Sequence, residues 1–60
     1  MEKWTRAELE EAQRSITSTL SKCEKALEKQ REGSPQHTLL VRRIKAFRIS
    51  LELIGRELAD

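Results

Sequence analysis

The only strong break signal after the first few residues is Gly33-Ser34-Pro35. Glycine takes a left-handed conformation at a helix end at little cost, serine caps a following helix, and proline suits that helix's first position. The chain therefore reads as two long helices, about 6–32 and about 35–58, joined by a turn at 33–34 in a single domain spanning 1–60. Each helix is about 35–40 Å long at 1.5 Å per residue. So short a connection sends the second helix back antiparallel to the first. The start of helix one is marked twice. Thr5 and Glu8 have capping-box spacing, in which the threonine hydroxyl takes one orphan N–H and the glutamate returns to the Thr5 N–H. Trp4 stands where it can pack on Leu9 as a hydrophobic staple.

Apolar residues recur about every seven positions on both helices. Leu9, Ala12, Ile16, Thr19, Cys23 and Ala26 alternate in steps of three and four, with Leu20 and Leu27 widening the stripe; Leu40, Ile44, Phe47, Leu51, Ile54 and Leu58 do the same without a gap. This is the seam of an antiparallel coiled coil. Folding at Gly33 predicts layers Gln30–Leu40, Ala26–Ile44, Cys23–Phe47, Thr19–Leu51, Ile16–Ile54 and Ala12–Leu58. In four of these a small residue meets a large one, which suits close packing.

Sixty residues bury only about 60 % of their unfolded surface, so a lone core of this size is marginal. One cysteine excludes an internal disulfide, and one histidine excludes a Cys/His metal cage. Helix packing and self-association are what remain, and the second helix has the surface for it. Leu39, Ala46 and Leu53 recur every seven residues beside the first seam, Ile49 lies near them, and Ser50 sits between the stripes. The combined apolar arc, about 160°, exceeds the roughly 100° of an ordinary surface helix. A two-fold dimer closing into a four-helix bundle is the simplest way to cover it, with Leu39, Ala46, Ile49, Ser50 and Leu53 as the oligomer interface.

Other candidate sites weigh less than their bland alternatives. Arg42, Arg43, Lys45 and Arg48 form the one same-sign cluster, a possible phosphate-contacting face for nucleic acid. Against this stand a net charge of only +2 and just two aromatic residues, Trp4 and Phe47, to stack on bases. Cys23 reads as a core residue and His37 as a first-turn residue at the core edge. The crowded hydroxyls Ser15, Thr17, Ser18, Thr19 and Ser21 read as a locally weak stretch of helix. Carboxylate pairs such as Glu10/Glu11 and Glu24/Glu28 fall on outward faces, whereas general acid–base work wants a cleft. The expectation is a non-enzymatic protein with no catalytic residues, no metal and no cofactor. No stretch approaches the roughly 18 to 20 apolar residues of a membrane span, and acidic residues interrupt the N-terminal region where a secretory signal would be apolar. With its single unpaired cysteine, the chain reads as cytoplasmic.

The segments Ile16–Ala26, Gln36–Leu40 and Arg43–Ala46 resemble a group of short uncharacterised bacterial helical-hairpin proteins. That resemblance implies a bacterial origin and transfers no functional residue. Ser50-Leu51-Glu52-Leu53-Ile54 is also similar to the Ser-Gln-Glu-Leu-Asp motif of sporulation-regulating aspartyl-phosphate phosphatases. It keeps Ser50, Glu52 and Leu53 and lacks the Gln and the Asp. The leading expectation is a structural or protein-interaction module acting as a homo-oligomer. The alternatives are weak nucleic-acid binding through the basic face and a regulatory hairpin that binds a signalling protein.

Overall fold

A computed structural model describes residues 3–59; Met1, Glu2 and Asp60, which the single-domain reading includes, lie outside them. Two helices, α1 (Arg6–Glu28) and α2 (Pro35–Ala59), pack antiparallel as a hairpin 40 Å long and under 20 Å across.

The start of α1 is the capping box expected from its sequence. The Glu8 N–H donates to Thr5 Oγ1 at 3.1 Å, and the Thr5 N–H donates to Glu8 Oε1 at 2.8 Å. That backbone donor, and after it the Thr5 hydroxyl, hold the Glu8 carboxyl below its ordinary pKa, against a smaller upward push from desolvation. A lowered folded-state pKa adds stability that is present above the ordinary carboxylate value and is lost as pH falls through the lowered one. Acid titration of helicity by circular dichroism is therefore expected to lose less signal in Glu8→Gln than in the parent, because glutamine keeps an acceptor and does not titrate. Matching acid limbs would remove the contribution. Trp4 lines one groove with Leu9 but is 66 % exposed, so the staple covers little of the indole.

Helix one ends at Glu28, four residues short of the expected boundary. The Lys29 N–H turns back to Ala26 and Leu27 carbonyls, and the Gln30 N–H donates to the Leu27 carbonyl at 3.1 Å. Leu27 is the last apolar residue before the break. The run Glu28-Lys29-Gln30-Arg31-Glu32 has nothing greasy to dock, so packing ceases to pull it into the helix. The connection is thus 29–34 rather than 33–34. Gly33 does adopt a left-handed conformation, φ +88°, but inside this loop and not directly behind the helix. Ser34 caps α2: its Oγ accepts from the His37 N–H at 3.1 Å, and its carbonyl accepts from the Thr38 N–H at 3.0 Å.

Two ties join the helices, one from the middle of α2 to the last turns of α1 and one at the open end of the hairpin. Arg48 Nη2 meets Glu24 Oε2 at 2.7 Å, and Arg6 Nη1 donates to the Leu58 carbonyl at 3.1 Å, where the α2 dipole favours a cation. On antiparallel helices Arg48 and Glu24 lie two residues, about 3 Å, off the level of a Cys23–Phe47 layer, an offset that two long side chains span. One layer needs correcting. Thr19 is exposed and spends its hydroxyl on the Ser15 carbonyl at 3.0 Å, whereas Leu20 is half-buried. A 3.6-residue helix turns Leu20 into line with Leu9, Ile16 and Leu27, and burying a leucine releases more apolar area than burying a threonine.

Among the described residues Ile44 alone is buried, at 7 % exposure. The other seam residues, including Leu40, Phe47, Leu51, Ile54 and Leu58, are half-buried. Gly55 lies within α2, and a Cβ built there meets nothing within 4 Å. A mid-helix glycine costs about 0.5–1 kcal/mol relative to alanine. Gly55→Ala is accordingly expected to raise the stability of the hairpin by about that amount in urea titrations. A lower midpoint would mean that the space beside Gly55 is needed.

Candidate interaction surface

The residues expected at an interface lie on the flank of α2 beside the seam, on the solvent side. Leu39, Ile49 and Leu53 are 39 %, 52 % and 55 % exposed, and Ala46 is exposed between them. Ser50 is half-buried at the edge of the seam, its hydroxyl donating to the Ala46 carbonyl at 2.9 Å. That bond satisfies the Ser50 donor within its own helix and leaves the hydroxyl oxygen able to accept. These side chains share one helix and therefore one rigid frame. Seven-residue spacing advances about two turns and keeps Leu39, Ala46 and Leu53 on one side. Such exposed hydrophobic residues form a candidate interaction surface.

The shape of the molecule supports this. Its accessible surface is 5168 Å², against about 4,000 Å² for a compact monomer of its mass. Its radius of gyration is 13.8 Å, where a compact 60-residue domain would have about 10 Å. The surplus follows from two parallel rods with no third layer over either of them.

The basic cluster divides. Arg42, Arg43 and Lys45 are exposed and make no ion pair with another described residue, whereas Arg48 is tied to Glu24. An exposed pair of this kind contributes little stability, but it turns the guanidinium toward α1 and weakens the case for a shared phosphate-binding face. Cys23 is half-buried and free. His37 is half-buried in the first turn of α2, where its backbone N–H serves the Ser34 cap. The hydroxyl-rich stretch of α1 lies on the exposed side, and Thr17, like Thr19, turns its hydroxyl back to a carbonyl of its own helix, that of Gln13 at 2.7 Å.

Two shallow apolar hollows accompany the seam. One, about 400 Å³, is lined by Trp4, Glu8, Leu9, Ala12 and Ile54 at the open end of the hairpin. The other, about 420 Å³, lies between Leu27, Val41 and Ile44 under the Arg48–Glu24 bridge. Val41 falls outside both seven-residue stripes, so spacing alone does not place it in a hollow. The small residues Ala12 and Gly55, falling at the same end of the hairpin, are the signal that could have pointed to the hollow at the open end. Among the described residues no group of three His, Cys, Asp or Glu side chains is placed to hold a metal ion, and no helix is long and apolar enough to cross a membrane.

No protein-family model matches the chain, and no curated protein or solved structure matches it. What stands of the resemblances drawn from the sequence is the helical hairpin itself.

Proposed function

We propose that this chain is a non-enzymatic protein-interaction module that works as a homo-oligomer, two hairpins closing into a four-helix bundle with the second helices at its centre. The observation that carries the reading is the apolar stripe on the outer face of α2, with Leu39, Ile49 and Leu53 exposed in a molecule whose buried interior, among the described residues, is Ile44. Burying one such side chain fully contributes about 1.5–3 kcal/mol. Two copies bring six of them to the interface, enough to offset much of the entropy lost on pairing, although area does not convert directly into affinity.

Sedimentation velocity across a range of concentrations tests this. The expected result is a species of twice the 7.0 kDa chain mass that dissociates only on dilution. A single-chain mass at every concentration overturns the proposal. Adding duplex or single-stranded nucleic acid at low and moderate salt tests the competing use of Arg42, Arg43 and Lys45, because phosphate binding weakens steeply with salt.

A further inference from the structure

We infer that the second copy docks antiparallel across the outer face of α2, on a two-fold axis passing beside Ala46. This rests on the dimer reading above and adds its orientation and register.

The stripe is self-complementary about its centre. Leu39 and Leu53 stand seven residues either side of Ala46, and all three are exposed. An antiparallel two-fold at Ala46 superposes the stripe on itself. Leu39 meets the partner's Leu53, Leu53 meets the partner's Leu39, and Ala46 meets the partner's Ala46. The small side chain at the centre lets the helix axes come to about 8 Å, the near end of the usual range. Ile49 then lies on the aliphatic stem of the partner's Arg42, which shares its flank of the stripe, and the charged head stays in water.

Charge selects this orientation over a parallel one. Arg42 falls within the stripe, between Leu39 and Ala46. In a parallel two-fold each Arg42 faces the partner's Arg42 across a drying interface, which is costly for two like charges. In the antiparallel one it faces the partner's Ser50. The Ser50 hydroxyl already donates to Ala46, so its oxygen is left to accept from a guanidinium. Opposed helix dipoles favour the same arrangement.

The area fits a second copy. The surplus over a compact chain of this mass is roughly 1,100 Å², and a standard interface takes about 800 Å² from each partner.

Single cysteines introduced on a Cys23→Ser background, with Cys23→Ala as a second background should the serine loosen the hairpin, report the geometry after mild oxidation. Ala46→Cys is expected to link into a covalent dimer at least about tenfold faster than Leu39→Cys or Leu53→Cys alone, because only at the axis do the two Cβ atoms come within disulfide reach. Mixing Leu39→Cys with Leu53→Cys chains is expected to give the mixed disulfide and little of either like pair. Rapid self-linking of Leu39→Cys overturns the antiparallel orientation. A chain that sediments as a dimer while Ala46→Cys fails to link overturns the register and leaves the dimer reading standing. A parent chain that sediments as a monomer overturns both.

Discussion

Leu53→Glu is expected to return the protein to single chains. In the lone hairpin this side chain is 55 % exposed, so a glutamate there is well hydrated, and it is a good helix former. At the proposed interface the same change removes the burial of a leucine, about 1.5–3 kcal/mol, and sets a carboxylate against an apolar neighbour. The symmetry applies the loss twice. Two such losses weaken association by roughly 10²- to 10⁴-fold, at about 1.4 kcal/mol per factor of ten. Sedimentation should show the mass halving at concentrations where the parent is fully paired. Val41→Glu is the matched control, because Val41 is 45 % exposed and off the stripe, and it is expected to leave the mass unchanged. A dimer that survives Leu53→Glu removes Leu53 from the interface.

Ile44→Ala is expected to be the most damaging single truncation for the hairpin itself. Ile44 is 7 % exposed and is surrounded by residues that are themselves only half-covered. Removing most of a buried isoleucine costs about 2–5 kcal/mol through lost transfer energy and the space left behind. Domains of ordinary size have only about 5–15 kcal/mol of stability in total, and one this small stands at the low end. Thermal melting followed by circular dichroism should show a midpoint lower by about 10–25 °C at equal chain concentration, or no folded baseline at all. Val41→Ala, at an exposed position, should shift it little. Equal effects from the two substitutions would mean that Ile44 is not the centre of the packing.

Much of this architecture is legible in the residues because its signals are local. The Thr5–Glu8 cap, the Ser34 cap and the left-handed Gly33 each involve a few neighbouring positions whose chemistry has few alternatives. What was not legible depends on comparison between distant parts. The end of α1 at Glu28 is one case: nothing in Glu28–Glu32 disfavours a helix, and the chain leaves it only because no apolar side chain beyond Leu27 docks on α2. The choice of Leu20 over Thr19 is another. A strict seven-residue pattern selects the threonine, and the rotation of a real helix over several turns selects the leucine. The Arg48–Glu24 bridge is a third, since a pair 24 positions apart meets only once the register exists. The apolar stripe on α2 was readable from spacing alone, and its exposure is what the fold adds. The occupant of that face was never local information, which is why charge and symmetry, and not spacing, have to argue for it.

Arg6 and Leu58 hold the two ends of the described chain at the same end of the hairpin. A force applied through those ends would not shear one helix along the other, which would strain every layer together. It would open the pair like a zip, from Ala12 and Leu58 toward the loop at 29–34, with one layer bearing the load at a time. A fold tied in this way yields to weak tension and re-forms from the closed end, where the loop keeps the helices within reach of each other.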